Sequence, residues 1–82
     1  MRLDKYLKIS RLIKRRTVAN EACDAARVSV NGRPAKSSYE VKIGDVLEIS
    51  FGERRVKVRV AEVREHALKA DAGGMYEVVS DS

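Results

Sequence analysis

The amino-acid sequence predicts an α+β domain in which two N-terminal helices pack on a small curved antiparallel sheet. Three observations carry that prediction: apolar residues at helical spacing near the N-terminus, an Asn-Gly pair after a short apolar run, and period-two alternation between Val46 and Val60. Helices first and strands afterwards is the order of a fold that segregates the two into separate layers. With 82 residues and 44% hydrophobic content, the chain is sized for one core and no more.

Met1 to about Ser10 reads as a short amphipathic helix. At about 100° per residue, Leu3, Tyr6, Leu7 and Ser10 share one face, while Lys5, Lys8 and Arg11 point away. Asp4 lies in the first turn, where a carboxylate suits the helix dipole and can pair with Lys8 four residues on. In the basic run that follows, Leu12 and Ile13 tack the connection onto the core. Thr17 is an N-cap residue for a second helix over roughly Val18 to Arg27, with Val18, Ala22 and Ala25 or Ala26 as a stripe of small residues.

Val28-Ser29-Val30 followed by Asn31-Gly32 predicts a tight hairpin, because Asn-Gly accepts the two positive φ angles of a type I′ turn. Pro34 in the returning arm cannot donate a ladder hydrogen bond, which limits that arm to an edge. Lys36 to Lys42 reads as polar loop. Val46 to Phe51 alternates with Leu47, Ile49 and Phe51 inward, and Gly52-Glu53 closes a second hairpin onto Arg54 to Val60. Val63 breaks the parity of that strand, so a bulge or strand end falls near Ala61. Glu65 to Ala72 is irregular or a single helical turn, Gly73-Gly74 breaks it, and Met75 to Val79 adds a last strand. Ser80 to Ser82 should fray.

The charge is distributed unevenly. Arg2 to Arg16 holds seven Lys/Arg (Arg2, Lys5, Lys8, Arg11, Lys14, Arg15, Arg16) against Asp4, a net of +6. The rest of the chain carries ten Lys/Arg against eleven acids, a net of −1, so the total of +5 belongs to the N-terminus. A field concentrated on one short element suits a polyanionic partner. Scarce aromatics (three Tyr, one Phe, no Trp) argue against a single-strand binder built on rows of stacked rings. One cysteine excludes an internal disulfide and a Cys-based metal site, and fits the cytoplasm. No apolar run approaches a membrane span, and the N-terminus lacks a signal-peptide core. His66 has no Ser or Cys partner pattern around it, and Cys23 reads as a small buried helix residue, so the composition offers no catalytic or metal constellation and no cofactor.

Met1-Arg2-Leu3-Asp4-Lys5-Tyr6-Leu7-Lys8, the block Ser10 to Thr17, Val30-Asn31-Gly32, Lys36 and Val41-Lys42-Ile43-Gly44-Asp45 together resemble an S4 RNA-binding domain. Length, Phe51-Gly52 and Met75-Tyr76 make the whole chain similar to the stand-alone S4 proteins of the RqcP family, related to the bacterial heat-shock protein of fifteen kilodaltons. The resemblance implies an S4-type (αL-like) fold over residues 1–82, with an S4 core over 1–50 and a C-terminal β extension over 51–82. It further implies a non-enzymatic, cytoplasmic protein, monomeric and away from membranes. Such a protein binds 23S rRNA and P-site tRNA on stalled large ribosomal subunits. There it works with an RqcH-type elongation factor while alanine tails are added. A general rRNA-binding role in ribosome biogenesis, or an RNA-targeting subunit of a modification enzyme, also fits the residues.

The RNA-binding candidates follow from charge and resemblance together. Lys5, Lys8, Arg11, Lys14, Arg15 and Arg16 are expected on phosphates, the arginines foremost because guanidinium groups fork onto phosphate oxygens. Arg2 lies at the edge of the apolar face, where packing and RNA contact are both open. Asp4 is either a helix-start carboxylate or a residue that positions Lys8 or Arg11. Asn31 is first a turn residue, and by resemblance to S4 hairpins it and Lys36 can reach the sugar-phosphate chain. Arg55, Lys57 and Arg59 form a second basic stripe, read as solvated surface because Glu48, Glu53 and Glu62 are near in sequence.

Overall fold

The computed structural model describes residues 1–63 and 74–79, and the expectations for Glu65 to Ala72, His66, Gly73 and Ser80 to Ser82 lie outside them. Two helices come first, α1 over Leu3–Ile9 and α2 over Arg16–Asp24. Five strands follow: β1 Val28–Val30, β2 Arg33–Pro34, β3 Val46–Phe51, β4 Arg54–Val60 and β5 Tyr76–Val78. They form one antiparallel sheet in the order β2-β1-β3-β4-β5.

The apolar face of α1 is the one its spacing predicts. Leu3, Tyr6, Leu7 and Ser10 are all buried, against Ala19 and Cys23 of α2 and against Val28, Leu47, Ile49, Val58 and Val60 of the sheet. Each large apolar side chain buried here contributes about 1.5–3 kcal/mol. Tyr6 also donates its hydroxyl to the Met75 carbonyl at 2.7 Å, which joins the first helix to the approach of the last strand. Burial, with Tyr76 nearby, pushes the Tyr6 phenol far up, so it stays a neutral donor.

α2 departs from expectation at both ends. Its N-cap is Arg15, in extended conformation and without a side-chain cap bond; Thr17 lies inside the first turn. At the other end Ala26 adopts a left-handed backbone (φ 58°). Its amide reaches the Cys23 carbonyl at 3.0 Å and the Arg27 amide reaches Ala22 at 2.9 Å. That pair of bonds is a Schellman stop, a device sequence usually announces with glycine. The earlier start shifts the buried stripe to Ala19 and Cys23 with Ala22 half-buried, and leaves Val18 46% exposed.

The sheet follows its signals closely. Asn31 and Gly32 both have positive φ (52° and 86°) and join Val30 directly to Arg33, as a two-residue I′ turn requires. β2, with Pro34, is an edge strand. β4 stops at Val60, beyond which the Ala61 and Glu62 amides both turn to the Met75 carbonyl, at 2.9 and 3.1 Å. Phe51 is the exception. Expected inward, it is 41% exposed, because the β3–β4 hairpin outruns the core at that end.

The segment expected as polar loop, Lys36 to Lys42, is a strap. The Leu3 amide bonds Tyr39 at 2.8 Å, the Val41 amide bonds Met1 at 2.9 Å, and the N-terminal amine pairs with Glu40 at 2.8 Å. Val41, within the strap, is buried and anchors it to the core. The strap ties down the N-terminus that carries the charge.

Candidate nucleic-acid interface

The first group of candidate residues surrounds Asp4, whose side chain is only 2% exposed. Its carboxylate takes the Lys5 amide at 2.8 Å, Arg2 Nε at 3.2 Å and Arg16 Nε at 3.3 Å. Asn20 Nδ2 lies 3.5 Å from the same carboxylate and 3.3 Å from Ser37 Oγ, which stitches α2 to the strap. Burial alone would raise the carboxyl pKa, but the bonds from Arg16 and Lys5 and the charges of Arg16 and Arg2 hold it below its ordinary value. The expected partnership of Asp4 with Lys8 is therefore not formed, nor does Asp4 position Lys8 or Arg11. Packing of α1 on α2 brings Arg16 across to the buried Asp4, while Lys8, one turn further along the helix, stays exposed. Arg2 and Arg16 remain about half exposed (50% and 46%). Each is thus oriented by an inner anion and still open to an outer one.

The second group is the end of α1 and its connection to α2. Lys8, Arg11, Lys14 and Arg15 are exposed and make no ion pair among the described residues. Lys5 is half-buried on the same helix. Arg11 ends α1 in the left-handed region (φ 64°), its amide on the Lys8 carbonyl at 3.0 Å. A bulky residue there costs about 1–2 kcal/mol that glycine would not incur. The connection thus aims its cations outward under mild strain, with Ile13 buried as the anchor.

The third group is the β1–β2 turn. The Asn31 amide is engaged at both ends, Oδ1 accepting the Val46 amide at 3.0 Å and Nδ2 donating to Asp45 at 3.1 Å. Buried Asp45 also accepts Tyr39 Oη at 2.9 Å and the Lys42 amide at 3.0 Å. Burial opposes its charge, yet the bonds from Lys42, Tyr39 and Asn31 outweigh it and hold the carboxyl below its ordinary value. The same bond, with some burial, pushes the Tyr39 phenol up. Lys36, on the strap, is exposed. The sequence marks Gly44-Asp45 only as part of the S4 resemblance, and gives Tyr39 and Asn20 no role. Tyr39 inside a polar run, and a polar residue between the small residues of α2, were the signals available.

On β4 the second basic stripe is largely neutralised. Arg55 pairs with Glu48 at 3.4 Å, and Arg59 is hydrogen-bonded to Glu77. Cys23 is buried, its thiol pushed up to about 11 by burial first and by Asp4 and Asp24 after that, so it is an unreactive packing residue.

Comparison with known proteins agrees with this geometry. Residues 1–47 match the S4 domain family. A Streptococcus pneumoniae protein, the RQC P-site tRNA stabilizing factor, is 54% identical over 82 residues, covering 100% of this chain and 93% of its own length. The Bacillus subtilis protein of the same name is 49% identical over 81 residues, covering 99% and 94%. The chain belongs to the S4 family, within the branch these stabilizing factors form. Its fold also superposes on the trimeric structure of Vibrio cholerae Heat Shock Protein 15, with a TM-score of 0.91 at 26% identity over 100% of this chain and 84% of that one. The S4 match ends within β3, whereas the sheet continues through β4 and β5 and shares one core with the helices. Among the described residues, no helix is long and apolar enough to cross a membrane.

Proposed function

We propose that this chain is a non-enzymatic, cytoplasmic RNA-binding protein that docks as a monomer on 23S rRNA and P-site tRNA of stalled large ribosomal subunits. It holds the tRNA in place while an RqcH-type factor extends the nascent chain with alanine. The observation that carries the reading is full-length similarity to proteins named for stabilising a P-site tRNA. The physical support is the outward cation row on the α1–α2 connection, beside two arginines oriented by a buried carboxylate.

The mechanism is a clamp that makes and breaks no covalent bond. Cations at Lys5, Lys8, Arg11, Lys14 and Arg15 meet phosphates of one RNA strand, and Arg2 and Arg16 fork onto a second. Such contacts read backbone and shape rather than sequence, as structured RNA demands. In this reading residues 1–50 carry the RNA contacts, and Val58, Val60 and Met75 complete the core that holds them in register.

Affinity purification of a tagged protein tests the proposal. Large subunits blocked by peptidyl-tRNA should co-purify, and raising the salt should release them. Recovery of assembly precursors without tRNA would overturn the rescue role and favour ribosome biogenesis.

A further inference from the structure

A groove of about 570 Å³ runs beside β2, and Asn31, Arg33, Pro34, Lys36, Ser38 and Tyr39 are among the residues that line it. Its size falls within the range of small-ligand sites, roughly 300–1,000 Å³. We propose that it receives one unpaired nucleotide of the bound RNA, the base against Pro34 and the Tyr39 ring and the flanking phosphates on Arg33 and Lys36. This rests on the RNA-binding reading above and adds a second subsite to it.

The charge of the lining favours an anion. It contains two cations and no acid. Arg33 and Lys36 are exposed and make no ion pair among the described residues, unlike the paired arginines of β4. The nearby carboxylate, Asp45, is buried with its oxygens occupied by Asn31, Tyr39 and Lys42. Those bonds also fix two of the groove's walls before any ligand arrives. The remaining lining suits a base: Pro34 and the aromatic ring of Tyr39 are apolar, and Ser38 brings a hydroxyl for a polar edge. Unpaired RNA bases are commonly bound this way, stacked on an aromatic face and hydrogen-bonded along an edge. Few rings are available, so the site takes a single nucleotide and not a run of them.

Position argues the same way. The strap that carries Lys36 and Ser38 is joined at Ser37 to Asn20, which also touches the carboxylate that orients Arg16. Arg16 and the strap that lines the groove are therefore joined through Asp4, Asn20 and Ser37, which puts the groove beside the proposed phosphate contacts. An extended peptide is the less suitable occupant. The adjoining edge strand has two residues, and one of them, Pro34, has no amide hydrogen to offer a new strand.

The test measures anisotropy of the full chain with two labelled probes, a short oligouridylate and a blunt RNA duplex. Arg33→Ser/Lys36→Ser, which removes two phosphate contacts, should weaken oligouridylate binding by at least about tenfold, the scale of losing a single charge-assisted bond. Its salt slope should fall by about 0.7 for each single-strand phosphate that the variant no longer neutralises. Ser38→Leu, which narrows the groove without changing charge, should also weaken the oligouridylate and leave duplex binding unchanged, while the charge variant should cost the oligouridylate more than the duplex. All three positions are exposed, so a thermal melt should match that of the parent protein. The proposal is overturned if Ser38→Leu has no effect, if both probes weaken equally, or if an oligoglutamate peptide occupies the groove in preference to the oligouridylate. The parent reading fails separately, if Arg11→Gln/Arg15→Gln leaves duplex binding intact.

Discussion

Along β4 two of the three exposed arginines face acids: Arg59 lies directly opposite Glu77, and Arg55 reaches diagonally to Glu48, itself the cross-strand partner of Lys57, while Arg54 lies opposite Phe51 at the hairpin end. Along the α1–α2 connection Lys8, Arg11, Lys14 and Arg15 face no acid among the described residues. Residue type is nearly the same in the two places, and topology makes the difference. A sheet fixes neighbours about 5 Å away on each side, so a strand cation is paired or repelled by register. A connection has no such neighbours, and the one acid that helical spacing offers Lys8 has been drawn inward by Arg16. Equal charge density does not mean equal availability: cations with no internal partner are the ones left open to an outer anion.

The severest way to break the comparison is to cut the joint between the two regions. Tyr6→Ala removes a fully buried ring and its bond to the Met75 carbonyl, and should cost about 3–5 kcal/mol in chemical denaturation. Tyr6→Phe keeps the ring and should cost only about 1 kcal/mol, because Met75 still accepts from Ala61 and Glu62.

Next comes the inner anion. Asp4→Asn should destabilise by about 1–3 kcal/mol, since the Lys5 amide and the Arg2 and Arg16 guanidinium groups lose a charged, buried acceptor. It should also weaken RNA binding despite the added net charge, because Arg2 and Arg16 lose their orientation. The pH dependence has a definite sign. The folded carboxyl titrates below its ordinary value of 3.8, so its contribution is complete above that value and is lost as pH falls through the folded one. Acid unfolding below about pH 4 should therefore be shallower in Asp4→Asn than in the parent protein.

A smaller effect separates folding from function. Arg11 and Ala26 both occupy left-handed positions, so glycine at either should add about 1 kcal/mol of stability. Only Arg11→Gly should lose RNA affinity; equal affinity in the two variants would remove Arg11 from the site. Smallest of all, Arg55→Gln and Arg59→Gln should each shift stability by less than about 1 kcal/mol, as exposed pairs do.

Much of this was legible in the sequence because short-range physics decides it. The face of α1, the Asn31-Gly32 turn, the edge position of Pro34 and the bounds of β3 and β4 all follow from periodicity and turn chemistry. What stayed hidden depends on partners distant in sequence. Asp4 could not be assigned to Arg16 without the angle at which α1 meets α2, and spacing pointed to Lys8 instead. The end of α2 was misplaced because its left-handed stop is an alanine. That the Lys36 to Lys42 loop is tied down as a strap is invisible in the sequence, because its bonds go to Met1 and Leu3, more than thirty residues away. The cation row was visible as composition, but its freedom from internal partners is a property of the fold.

The most direct measurement compares two variants that each lose two positive charges, Arg11→Gln/Arg15→Gln and Arg55→Gln/Arg59→Gln, in RNA affinity titrated against salt. The first should lower the slope of log affinity on log salt by about 0.9 for each duplex phosphate it no longer neutralises, while the second leaves it unchanged. Equal slopes and equally weakened binding in the two would contradict the account, for they would mean that net charge, and not its placement, governs binding.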